Sequence, residues 1–568
     1  MSRLRLFLTA LLFPLIATAQ LPRVGDFALL DHRGAFHQMS RLSNKQAIVL
    51  ITQSNACART PAIVQRINAL HENKAEDFAF ALLNSTPQDD RAAVIQSTQS
   101  LRPEIPVLMD TAQSIAESLG ANQAGEAFVL NPENSQVLWR GAAASADLER
   151  ALAAIESGQS LPASSTVAGT RTGIESDCAI VYSAKDRHEL EGISYAADVV
   201  PILERRCVSC HNEGGIAPWA MSGHQMVQGW SPMIRETILT RRMPPGQVDM
   251  EVGQLKGVNE LTAAEQQILL HWIAMGSPMD ANEADPLSTL SVANPQWPLG
   301  EPDHILTIEP QTIPATGLLD YFYATVVNEL GEDKWIRQID FNPGNRAVVH
   351  HAAAYLIDKG STDPRGRSYL LGWTPGRTPV EFPDNSGQLL PASKDVLLEL
   401  HYTTVGYETT DQTQIGLYFW DEPPENVMRD EPIVNAMFRI PPYEANYQTQ
   451  ASRVFENDIM LYALTPHMHY RGKDMRYTAI YPDGTSEMLL SVPNYQFAWQ
   501  YVYDLAEPKA LPAGTRIVVS GSFDNSAQNP FNPDPSLEVR FGEQTYDEMF
   551  IGMTMYRVVG ESPGDFGN

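Results

Sequence analysis

The sequence predicts a multidomain protein in which a small α/β domain is followed by a compact all-α segment and then by two all-β sandwiches. Three observations carry this. Strand-like and helix-like stretches alternate from about residue 21 to 160. A stretch rich in Ser, Thr, Gly and Ala, Gly158 to Ser176, reads as a linker to a helical segment. From about residue 297 onward, short alternating apolar runs are separated by Pro and Gly turns. At 568 residues the chain has room for roughly three to five domains.

The chain opens MSRLRLFLTALLFPLIATAQ, with Arg3 and Arg5, an apolar run broken by Pro14, and Ala17-Thr18-Ala19 as a small-residue cleavage site. Residues 1–19 read as a secretory signal peptide. No Cys follows to carry a lipid, and no later apolar stretch is long enough to cross a bilayer. The expected product is soluble and periplasmic or secreted, with no membrane span. In the α/β domain, 21–160, QAIVLIT and DFAFALL are strands, Ala62 to Asn73 is a polar helix, and AFVLNPENSQVLWRG is a hairpin. The helical segment, 177–285, closes on the amphipathic LTAAEQQILLHWIAMGSP. The β-sandwiches, 297–440 and 441–568, are marked by KDVLLELHY, MRYTAIYPDGTSEMLL and TRIVVSGSF. No internal repeat is strong enough to name.

A formal net charge of -28 repels phosphate backbones and acidic lipid surfaces, which excludes nucleic acid as a partner. Only four cysteines occur, so this is not a scaffold built on disulfides.

Cys207-Val208-Ser209-Cys210-His211 is Cys-x-x-Cys-His. Two thiols at this spacing can attach to haem vinyl groups while the adjacent imidazole reaches the iron. Zinc is the rival, but no second Cys pair completes a Cys-rich site. DVVPILERRCVSCHNEGGIAPWAM together with the closing helix resembles the cytochrome c family. That resemblance implies covalent haem c, with a downstream Met as the sixth ligand. Met243, in RRMPPG, occupies the matching kind of segment, and the prolines after it would stiffen the loop. Met221, Met226, Met250 and Met275 remain alternatives, and the ordinary role of any single Met is core packing.

The β region carries Val348-Val349-His350-His351, then Leu400-His401-Tyr402, then LTPHMHYRGKDM with His467 and His469, then Asp547-Glu548-Met549. Taken singly, each is more often structural. Residues two apart in a strand face the same way, so His467 and His469 can reach one ion. Adjacent His350 and His351 would face oppositely, so sharing an ion requires a bulge or different ring nitrogens. His401 lies on one face with Leu397 and Glu399.

Together and in this order, these features resemble the type II copper, ascorbate-dependent monooxygenases, the peptidylglycine and dopamine hydroxylating family with its jelly-roll-like sandwiches. The resemblance spans roughly residues 297 to 560 and is sharpest in EDKWIRQIDFNPGNRAVVHH, LPASKDVLLELHYTTVG, LTPHMHYRGKDM and FDNSAQNPFNPDPSLEVRFGEQTYDEM. It implies two copper ions: an electron-transferring copper on His350, His351 and His401, and a catalytic copper, where oxygen binds, on His467, His469 and Met549. Imidazole suits both copper states, and a soft thioether favours Cu(I). The implied reaction hydroxylates a C–H bond of a small organic substrate with O2.

Two departures qualify the likeness. No Cys follows Cys210, so packing alone must brace the sandwiches. Where the peptide-hydroxylating branch has an Arg for the substrate carboxylate, this chain has Thr465, which argues against a peptide C terminus as substrate. Covalent fusion raises the local concentration of a haem donor, so the haem is expected to pass electrons from a periplasmic donor to the coppers, replacing ascorbate or another external reductant in whole or part.

VGDFALLDHRGAFHQMSRL, QAIVLITQSNAC and AFVLNPENSQVLWRGA resemble the redoxins, a thioredoxin-like family. Cys57 falls in the reactive-Cys region, but it has no Cys-x-x-Cys partner, and Ala124-Gly125-Glu126 stands where that family places a cis-Pro. A docking or structural domain is therefore expected in preference to thiol catalysis. With Cys207 and Cys210 given to haem, Cys57 and Cys178 are the thiols left in an oxidising compartment, and a disulfide between them is expected. The leading function is thus an exported copper monooxygenase with a fused haem donor. The alternatives are a haem c electron carrier or redox sensor, and a thiol-dependent peroxidase. The other histidines, including His32, His37, His71, His188, His224, His271 and His304, show no ligand spacing.

Overall fold

The computed structural model describes residues 23–164, 177–281, 284–290, 296–317, 319–361, 367–375 and 379–564. The expected signal peptide and most of the expected linker lie outside these residues. Among them, no helix is long and apolar enough to cross a membrane.

The α/β domain is a five-stranded sheet in the order Val107–Met109, Phe78–Asn84, Ala47–Gln53, Glu126–Leu130, Val137–Ala142. Its first three strands are parallel and its last two join antiparallel as a hairpin. The central strand, AIVLITQ, is buried at every position, as an unbroken apolar run requires when both faces are covered. Alternation divides it. Ala47, Val49 and Ile51 face a core shared with helices Thr60–Lys74 and Ala146–Ser157, whereas Ile48 and Leu50 face the other way.

That second face has no helices of its own domain sufficient to cover it. Ile202, Leu203, Val227, Leu269 and Trp272 of the helical unit complete the same core. The expected domains 21–160 and 177–285 are therefore one packed body rather than two independent ones. Polar ties reinforce the join: Arg91 to Asp249 at 2.6 Å, and His271 Nε2 to Glu117 Oε2 at 2.9 Å. The helical unit comprises Ser183–Glu191, Val200–Arg206, His224–Leu239 and Ala263–Ala274. The last begins with a capping box, Thr262 with Glu265.

The first β-sandwich has a four-stranded sheet in the order Phe322–Val326, Lys394–Tyr402, Val349–Asp358, Ser368–Trp373. It packs over a sheet that includes Lys334–Asn342 and Gln414–Phe419. The second sandwich pairs Arg429–Val434, Ile551–Val558, Ile459–His467 and Tyr503–Leu511 in one sheet. Its other sheet holds Tyr447–Val454, Arg516–Phe523, Gly472–Ile480 and Ser486–Val492. The expected division at 440/441 moves earlier, because Arg429–Val434 already pairs along the final strand. Between the helical unit and the second sandwich runs a strap, whose backbone bonds to Ser491, Asp504 and Ala506 are 2.7–2.9 Å long.

Candidate functional site

His351 and His401 stand directly opposite each other on neighbouring antiparallel strands. The register slips between Val349 and His351, leaving His350 as the extra residue. This is the bulge that two adjacent histidines need if they are to face one point. Ligand nitrogens of His350, His351 and His401 lie within 4.8 Å of one another, and all three side chains are buried. His350 Nδ1 is 3.3 Å from His351 Nδ1, and the Tyr321 hydroxyl is 3.2 Å from His351 Nε2. His401 Nδ1 is buried without a hydrogen-bond partner, a state that costs free energy unless something else occupies the nitrogen.

His467 ends its strand and His469 follows just beyond it, yet both rings enter the same cavity, with centroids 5.3 Å apart. Buried Met549 lines the same cavity. His467 Nδ1 donates to Gln500 Oε1 at 2.6 Å, and His469 Nδ1 donates to the Asp547 carbonyl at 3.3 Å. Each bond fixes a tautomer and leaves Nε2 free to ligate. The Gln500 amide also reaches His351 Nε2 at 3.5 Å, so one side chain touches both sets. The Phe497 ring borders His351, His401 and His469, at 5.4–5.8 Å.

Burial holds the His350 and His467 imidazoles down to about 4 and those of His401 and His469 to about 3. Burial, and then the neighbouring imidazoles, also pushes His351 well below the ordinary imidazole value. At neutral pH all five are neutral, the form that binds metal.

A cavity of about 590 Å³ between the sandwiches is lined by His351 of the first set and by His467, His469 and Met549, with Tyr321. Thr465 faces it. So does Arg367, but that guanidinium already has Glu399 at 3.5 Å and lies over the Tyr355 ring at 4.5 Å. It is no spare cation for a substrate carboxylate. Glu399 shares a face with His401, as alternation along KDVLLELHY requires.

Several contributors escaped the sequence reading. Glu548 is fully buried and accepts the backbone N–H groups of His469 at 2.8 Å and Arg471 at 2.6 Å. Burial raises its carboxyl to about 8. It clamps the Met549 segment to the His469 turn. Gln500, Tyr321 and Phe497 stand far from the ligands in sequence, and only the adjacency of Glu548 to Met549 offered any signal.

In the helical unit, Cys207 and Cys210 are free thiols on one turn, with burial pushing Cys207 up to about 12. His211 Nδ1 donates to the Trp219 carbonyl at 3.0 Å, leaving Nε2 available. Trp219 in turn stacks on Trp230. Met243 is half-buried on the turn after helix His224–Leu239. Of its alternatives, Met221 is buried in the shared core, and its N–H bonds to the His211 carbonyl. Met226, Met250 and Met275 are exposed.

Cys57 and Cys178 form a disulfide across 121 residues, and both are buried. Among the remaining histidines, His188 and His271 bond to each other at 2.7 Å, and His224 bonds to the Ser277 carbonyl. These are satisfied internal residues.

No protein-family model matches the chain. Solved structures similar to its N-terminal quarter include three thiol or peroxide proteins by description. Peroxidoxin BcpB from Mycobacterium tuberculosis is 20% identical, over 24% of this chain and 96% of that one, with a TM-score of 0.21. The exposed lipoprotein thioredoxin Etrx1 from Streptococcus pneumoniae is 15% identical, over 23% and 98%, with a TM-score of 0.21. A thiol-disulfide oxidoreductase from Bacteroides fragilis is 17% identical, over 22% and 98%, with a TM-score of 0.20. These values speak to no activity.

Proposed function

We propose that the protein is a copper-dependent monooxygenase that hydroxylates a C–H bond of a small organic molecule with O2, and that its helical unit holds haem c as electron donor to the coppers. One observation carries the reading: a buried three-histidine cluster reaches, through His351, a single cavity between two sandwiches that His467, His469 and the Met549 thioether also line. The residues fit the groups. The orphaned His401 Nδ1 suits a metal, and the free Nε2 atoms of His467 and His469 with the Met549 sulfur make a donor set that copper accepts and zinc rarely takes. Cys207 and Cys210 are unbridged, and His211 keeps a nitrogen free.

When bound, copper supplies one-electron exchange and contact with dioxygen, and haem c supplies single electrons for re-reduction. The chain's own residues do the rest. Gln500 and the Asp547 carbonyl aim the His467 and His469 rings. Glu548 keeps Met549 in place. Ile551, Met553 and Val502 give the cavity apolar walls, which bind an uncharged substrate region and limit water.

The test is oxygen uptake by copper-loaded protein across candidate organic molecules, compared with Met549→Ala. Uptake that requires both copper and Met549 supports the proposal. A loaded protein that takes up copper yet consumes no oxygen with any substrate, or consumes it equally without the thioether, overturns it. A haem electron carrier is the second reading, favoured by the Cys207/Cys210/His211 turn standing complete on its own. Haem without copper on metal analysis would select it. A thiol peroxidase is disfavoured, because the Cys57 sulfur is engaged by Cys178.

A further inference from the structure

We propose that the aromatic pair Trp499 and Tyr501 forms the electron path from the haem segment to the His350/His351/His401 set. This rests on the functional reading above and adds to it the route by which the two modules communicate. The pair lies on the 493–502 loop between strands Ser486–Val492 and Tyr503–Leu511. At one end, the Tyr501 ring presses on Gly246, where an added Cβ would stand 2.4 Å from a ring carbon and where φ is +74°. The Tyr503 hydroxyl donates to the Gly246 carbonyl at 3.2 Å. Gly246 belongs to the same MPPG turn as Met243.

At the other end, the Trp499 ring lies 5.7 Å from that of His350. Trp499 and Tyr501 are themselves nearly parallel, 6.3 Å apart at 23°. Between them Gln500 points instead to His467 and His351, as alternation along an extended segment dictates. The backbone strap from Asp249 to Lys256 fixes the helical unit against this part of the second sandwich, so the stack does not depend on a transient encounter between domains.

The ring order is therefore haem turn, Tyr501, Trp499, His350. Conjugated rings couple donor and acceptor better than saturated side chains or water at such separations. The step balances simply: ferrous haem c loses one electron and one cupric ion of the three-histidine set gains it. No bond forms or breaks, and no proton moves, because the rings serve as medium and are not themselves left oxidised.

The test uses the full chain carrying haem c and Cu(II), without oxygen. The haem is reduced by a flash-generated flavin radical, and the decay of its reduced spectrum is followed together with loss of the Cu(II) signal by freeze-quench spin resonance. Trp499→Leu and Tyr501→Leu should each slow that decay, with haem spectrum and copper content unchanged. Trp499→Phe and Tyr501→Phe, which keep a ring, should retain most of the rate. Gly246→Ala, which displaces the Tyr501 ring without removing it, should also slow the decay, and it decides the matter should a Leu variant lose a cofactor. Unchanged rates in the Leu and Gly246→Ala proteins would overturn the path while leaving the monooxygenase reading intact. A wild-type protein whose haem fails to reduce loaded copper would overturn both the path and the donor role. One that binds no copper would overturn the functional reading itself.

Discussion

The two histidine sets reach similar ends by different means. His350, His351 and His401 sit on two adjacent strands inside one sheet, where pairing register and a single bulge bring them together. His467, His469 and Met549 come from a strand end and two turns, and side-chain hydrogen bonds from Gln500 and Glu548 hold them. One set is built by backbone ladders and the other by buried polar clamps. A ladder survives the loss of any one side chain, whereas a clamp does not.

The sharpest way to break this contrast is Glu548→Ala. It strands two buried backbone N–H groups, those of His469 and Arg471, so the protein should lose about 3 kcal/mol in urea unfolding. Copper should leave the second set while the first keeps its ion. His401→Ala should do the converse, taking copper from the first set at a stability cost of about 2 kcal/mol. If this loss equals that of Glu548→Ala, the distinction between ladder and clamp fails.

Gln500→Ala frees the His467 tautomer and should weaken copper binding at the second set by roughly tenfold to a hundredfold, read by competitive chelation. An unchanged affinity would mean that the 2.6 Å bond does no orienting. The smallest effect is in acid. In the unfolded chain the imidazoles take protons at about 6.5, but burial delays this to about 3 to 4 in the fold. The unfolded state thus binds more protons across that interval, and the metal-free protein should lose stability as the pH falls from about 6.5 to about 4. Copper release below that range should be steeper for three imidazoles than for two imidazoles and a sulfur, which does not protonate.

Much of this was legible in the sequence wherever period and spacing carry information. KDVLLELHY forms a strand over those nine residues, AFVLNPENSQVLWRG is a hairpin, and the disulfide partners follow from which thiols remain. The bulge at His350 could only be posed as a condition, because register depends on the partner strand. Gln500, Trp499 and Tyr501 were illegible because they lie on an irregular loop whose path is set by packing against another module. The fused core was hidden because AIVLITQ announces burial on both faces without saying what supplies the second cover.

That second cover has a consequence for the history and handling of the molecule. A polypeptide beginning after residue 160 would present Leu203, Leu269 and Trp272 to water and cling to its own copies, so the helical unit cannot be excised as a small soluble carrier. The joint has become a single hydrophobic seam, and the α/β domain, its Cys57 sulfur closed in a disulfide, is the wall on which the helical unit leans.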